Sequence, residues 1–146
     1  MDLKHIKERL SQLKEDSKKN FGIMTPQHMV EHLTITMKIS SNRIPYPDFT
    51  PSEKQLQQKK ALLHTDLQFP QGVMAPGIGE RLMPFKHSDL ETAKEKLLSS
   101  IEEYENFFKE NPSNHTNHPR FGLMTYQEWE LFHPKHIEHH FGQFNI

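Results

Sequence analysis

Apolar residues in the first twenty positions recur at alternating spacings of three and four: Leu3, Ile6, Leu10 and Leu13, with Lys and Glu filling most positions between them. That period is one apolar stripe on an amphipathic helix, so a first helix is predicted over 2–20. Asn20-Phe21-Gly22 reads as its stop. Thr25 then offers an oxygen to the orphan N–H groups of a new helix, and Pro26 suits the first helical position, where a missing N–H costs nothing. A second helix is predicted over 26–42. At about 100° per residue, His28, His32, Ile35 and Ile39 fall within about 60° of one another, which places both histidines on the stripe that enters the core.

From Arg43 to His87 the pattern dissolves. Pro45, Pro47, Pro51, Pro70, Pro76 and Pro84 punctuate the stretch, and only 53–64 has a weak helical period. Gly77-Ile-Gly79 lacks the preceding strand and the flanking residues of a phosphate loop and reads as a turn. Connections this long are uncommon in compact domains, and a return path along a bundle between two parallel helices accounts for one. Ser88-Asp-Leu-Glu91 reads as a capping box opening a third helix over 88–110, with Leu90, Leu97, Ile101, Tyr104 and Phe108 on its stripe. After a polar loop, Thr125-Tyr-Gln-Glu128 repeats the box and opens a fourth helix over 126–142. Pro134 inside that helix predicts a kink or a break. The segments Phe21-Gly-Ile-Met-Thr-Pro-Gln and Phe121-Gly-Leu-Met-Thr-Tyr-Gln match, and their shared reading is one entry turn with a threonine cap, used twice.

The fold class expected from this pattern is all-α, a bundle of four main helices with the second and third parallel, no substantial sheet, and a long irregular connection between them. A chain of 146 residues fits a single domain over 1–146. The apolar content of 34 % is lean, but ten phenylalanines compensate, each aromatic ring burying about 150–250 Å².

Charge narrows the partners. Eighteen Lys and Arg against nineteen Asp and Glu give a net charge of −1, which argues against nucleic acid. The Lys-rich patches at 14–19 and 54–60 read as solvated helix faces. With no run of 18 apolar residues and no signal-like start, the expectation is no membrane contact and a cytoplasmic location. Cysteine is absent, so any metal must be held by His, Asp or Glu.

Eleven histidines change the picture. His136 and His140, four apart on the last helix, place two imidazoles one turn apart on one side, and His32 on the inward face of the second helix can add a third. Such a set binds a divalent metal ion and leaves positions for water or substrate, as catalytic sites do. The competing reading is a set of chance pairs and hydrogen-bonded core histidines. His28 and His139 are the candidates for a further ligand, which would close the site. Glu138, Gln143 and Trp129 are the nearest candidates to shape the pocket, with Trp129 read as core rather than contact. No Ser-His-Asp pattern or carboxylate pair is legible.

The segments Met24-Thr-Pro-Gln-His-Met-Val-Glu-His32-Leu and His118-Pro-Arg-Phe-Gly-Leu-Met-Thr-Tyr-Gln-Glu-Trp129, with His136-Ile-Glu-His139-His140-Phe-Gly-Gln143-Phe, resemble an uncharacterised branch of the DinB-like superfamily. The resemblance implies a four-helix bundle of up-down-down-up topology and a metal on one histidine of the second helix and two of the fourth, here His32, His136 and His140. Characterised members of the superfamily use a metal to activate a low-molecular-weight thiol. The expected function is therefore a metal-dependent enzyme, with zinc or nickel foremost, that activates a small thiol as a transferase does or a water as a hydrolase does. The expected partner is a small-molecule substrate such as a low-molecular-weight thiol, and a homodimer is left open. The alternative is a non-catalytic protein whose metal staples a lean core.

Overall fold

The computed structural model describes residues 1–71 and 82–146, so the Gly77-Ile-Gly79 reading lies outside the described residues. Among the described residues the elements are α1 (Leu3–Gln12), α2 (Pro26–Ser40), α3 (Glu53–His64), α4 (Leu90–Glu110), β1 (His115–His118), β2 (Gly122–Thr125) and α5 (Tyr126–Gly142). Five helices with an antiparallel hairpin overturn the expectation of a purely α-helical four-helix bundle of up-down-down-up topology. The hairpin pairs His115 with Thr125 and His118 with Gly122, and it occupies the stretch expected to be a polar loop. Its first strand, His-Thr-Asn-His, has no apolar alternation to reveal it. What holds it is side-chain bonding to the core: Thr116 Oγ1 accepts from Trp129 Nε1 (2.8 Å) and donates to the Ser40 carbonyl (2.8 Å).

The helix boundaries follow local chemistry. The first helix stops at Gln12 instead of 20, because no apolar residue after Leu13 continues the stripe. The freed Leu13 carbonyl is taken by Lys94 Nζ (2.7 Å). Thr25 caps α2, and Thr125 caps α5 with Glu128 reaching back to the Thr125 N–H, as the matched entry turns predict. Gly22 (φ 79°) and Gly122 (φ 72°) both sit in the left-handed region at these entries. The third predicted helix starts with Asp89 as its cap, accepting from Thr92 N (2.7 Å), in place of the Ser88–Glu91 box. The weak period at 53–64 is a full helix, sealed by a Ser52–Gln55 capping box. Pro134 neither ends nor divides α5. It removes one backbone bond of the helix, and the rest of the ladder carries on across it.

Two sets of contacts orient the helices around the site. Near the start of α2, Gln27 Nε2 donates to the His87 carbonyl (2.8 Å) and the Glu31 carboxylate accepts from Lys86 N and His87 N, just ahead of α4. Beyond its end, Arg43 pairs with Glu103, far along α4 (3.7 Å). Helices α2 and α4 therefore run in the same direction. Against α5 the order reverses: His133 meets Ser40, while His136, further along, meets His32. The core cluster draws on α1 to α5 and the hairpin, with Leu10, Met29, Leu97, Tyr104, Met124, Trp129 and Phe141 fully buried.

Candidate metal centre

Antiparallel packing of α2 on α5 carries one histidine of α2 to two of α5. His32 Nε2 lies 3.0 Å from His136 Nε2, and His140 Nε2 lies 3.1 Å from the same atom. All three candidate ligand atoms fall within 4.8 Å of one another. The structure thus brings together the three histidines singled out from the sequence. Nitrogens bound tetrahedrally at about 2.0–2.1 Å from one ion lie about 3.3 Å apart, and the two pairs at 3.0 and 3.1 Å lie near that separation.

Electrostatics favours the neutral, ligating form. Burial first, and the charge of His139 second, push His32 down to about 4. Burial and then the neighbouring His140 and His32 hold His136 well below the usual imidazole range. His140 is pushed down to about 3 by burial and by His32, against a raising hydrogen bond to Gln143. At neutral pH all three rings are uncharged. Imidazole nitrogens as close as His136 Nε2 is to those of His32 and His140 repel through their lone pairs unless a proton or a cation lies between them, and one cation satisfies all three at once.

The surroundings separate ligands from neighbours. His140 Nδ1 faces Gln143 Oε1 at 2.7 Å; because Oε1 only accepts, the proton sits on Nδ1 and leaves Nε2 free. His28 is occupied elsewhere: its Nδ1 meets the Thr25 hydroxyl (2.6 Å) and its Nε2 the Met83 carbonyl (2.8 Å). The ring of His139 packs against Phe21 and Phe69, and its pKa is lowered by burial while the Phe69 backbone raises it. Neither joins the converging group, in which His32, His136 and His140 alone appear among the described residues. Trp129 is core, and Glu138 pairs outward with Arg9.

One wall of the site has no sequence signal. Phe69 stands 5.5 Å from the His136 ring and 5.6 Å from Phe132, inside the proline-punctuated connection. Lys135 holds that segment in place by donating to the carbonyls of Leu62, Thr65 and Leu67 (2.5, 2.6 and 2.9 Å). A lysine beside His136 therefore closes the end of α3 and delivers the chain that flanks the histidines. In the sequence Lys135 is one more surface cation.

Among the described residues no helix is long and apolar enough to cross a membrane. A family model described as "Protein of unknown function (DUF1569)" matches residues 1–145. No curated protein and no solved structure matches the chain.

Proposed function

The chain belongs to the DUF1569 family, and from its histidine geometry we propose that it is a metal-dependent enzyme, His32, His136 and His140 holding one divalent ion, zinc or nickel. The observation that carries this reading is the convergence of three neutral imidazole Nε2 atoms from two helices on one point. When bound, such an ion supplies the Lewis acidity that makes a coordinated water or small thiol nucleophilic at neutral pH. His140 keeps its proton on Nδ1 through Gln143, and Phe69 and Phe132 keep water from the flank of His136. His32 retains more solvent contact than the 7 % exposed His136 and His140, so substrate reaches the centre from its side.

We place the family in the DinB-like superfamily on the residue resemblance, and read 1–146 as one cytoplasmic domain acting on a small molecule such as a low-molecular-weight thiol. The second reading, a metal that only staples the fold, is favoured by one observation: the three rings tie α2 to α5 across 104 residues of chain. Elemental analysis of untagged protein, followed by thiol titration of the metal-loaded form, tests both. Stoichiometric zinc or nickel with saturable thiol binding supports the enzyme. Stoichiometric metal that binds no thiol and hydrolyses no ester panel favours the staple, and absence of any bound metal after loading ends both.

A further inference from the structure

Gln143 lies just past the end of α5 and is only 5 % exposed, although nothing in helix capping requires an amide there. Its Oε1 is 2.7 Å from His140 Nδ1. Its other amide atom, Nε2, fills the space beside Gly22: a Cβ built on Gly22 would lie 2.7 Å from that nitrogen, closer than real Cβ contacts come. The surrounding segment is latched to the same helix end. Asn20 N donates to the Gln143 carbonyl (2.7 Å), and Asn20 Nδ2 donates to the Gly142 carbonyl (3.0 Å). Asn20 and Asn145 exchange amide bonds in both directions (2.6 and 2.9 Å).

We propose that Gln143 is a positioning residue for the metal centre, selecting the Nδ1–H tautomer of His140 so that Nε2 faces His32 and His136, and that Gly22 lacks a side chain to leave room for that amide. The inference rests on the metal-binding reading for its purpose, but the tautomer is a property of the chain alone. An imidazole with its proton on Nε2 cannot ligate through that atom, and a ring without a partner on Nδ1 is free to turn. A carboxamide oxygen at 2.7 Å removes both alternatives. The entry turn of α2 therefore serves the centre twice, starting the helix that carries His32 and shaping the pocket that fixes His140.

The test compares Gln143→Leu, Gln143→Glu and Gly22→Asn with wild type, using zinc competition against a chromophoric chelator and long-range proton–nitrogen NMR of the histidine rings in metal-free protein. Asparagine tolerates the left-handed backbone at position 22 but introduces a Cβ. Gln143→Leu is expected to weaken zinc about 10–100-fold and to mix the His140 tautomers. Gln143→Glu keeps an acceptor oxygen and is expected to restore both, which separates positioning from a general loss of packing. Gly22→Asn is expected to weaken zinc in the same direction as Gln143→Leu. The inference is overturned if Gln143→Leu keeps a single Nδ1–H tautomer at His140, or if Gln143→Glu binds zinc no better than Gln143→Leu. Should wild type bind no zinc at all, the metal reading falls by itself, and the tautomer of His140 across the variants still decides the role of Gln143.

Discussion

Two groups of histidines meet along α5, the triad of His32 from α2 with His136 and His140, and the closed pair of His118 from β1 with His133, and they differ in where their nitrogens go. His133 packs flat on Trp129 (5.1 Å between ring centres) and edge-on to Tyr104, with Nε2 against Ser40 Oγ (2.9 Å). His118 stacks on Phe121, and its Nδ1 accepts from Arg120 N (3.0 Å) and Phe121 N (3.2 Å). Burial is the leading cause that pushes both down to about 3, as low as His140 in the triad. Depth and a depressed pKa are thus common to a packing histidine and a metal-ready one. Only in the triad do nitrogens from separate rings face one another with no other partner for Nε2 among the described residues.

The largest expected effect separates the two groups directly. His136 touches both other members, so His136→Ala should abolish stoichiometric metal, a loss greater than the about 10–100-fold typical of removing a hydrogen-bond partner of a ligand. His118→Gln and His133→Gln should keep full metal content by elemental analysis. If either lost its metal as completely as His136→Ala, the comparison would break and the closed pair would belong to the site.

Stability should respond in the opposite order. His133→Ala leaves a cavity against Trp129 and Tyr104, and removal of a large core side chain costs about 2–4 kcal/mol. Among the described residues its buried Nδ1 meets no partner, so the ring contributes by packing and by the Ser40 contact, and His133→Phe should recover most of the loss. Urea unfolding of metal-free protein measures both. A His133→Ala change within error of wild type would mean that the ring is not packed as tightly as its burial implies.

The closed pair also sets a pH dependence. Both histidines are held near 3 in the folded state against about 6.5 when unfolded, so below pH 6.5 the unfolded chain takes up protons that the folded chain refuses. Their combined effect is nil above about pH 7. It grows as destabilisation as the pH falls toward 3, reaching on the order of 1 kcal/mol per histidine at pH 5.5. Metal-free His133→Phe should therefore lose less stability than wild type between pH 7.5 and 5.5. Equal slopes would show that residue 133 does not titrate as a buried neutral group.

The difference between the groups was only partly legible in the sequence. The Thr25 and Thr125 caps and the stripe through His32 are local patterns, and local patterns place α2 and α5 within two residues of their observed ends. Facing histidines follow from those stripes. His133, on the same stripe as His136, diverges from the triad only because Ser40 stands opposite it, which is a tertiary fact. Phe69, the hairpin and the early end of α1 were hidden for related reasons. The ring is positioned by Lys135 from a distant helix, the strand pairs through polar residues, and the Leu13 carbonyl is satisfied by a lysine 81 residues away.

The smallest effect is expected at Glu138, which sits between the two α5 histidines in sequence and was a candidate to shape the pocket. Its carboxylate instead pairs with Arg9, whose guanidinium also reaches the Ile146 carbonyl (2.6 Å) and lies over the Phe141 ring (4.8 Å). Glu138 is largely exposed, and exposed ion pairs contribute about 0–1 kcal/mol, so little depends on this one while Arg9 keeps its other partners. Glu138→Ala should leave metal content unchanged and shift urea stability by no more than about 0.5 kcal/mol. The same helix face that turns His136 and His140 inward turns residue 138 about 200° away from His136, which is why adjacency in sequence says so little here. Loss of metal in Glu138→Ala would contradict that geometry and make the Arg9 pair part of what holds α5 in register with His32.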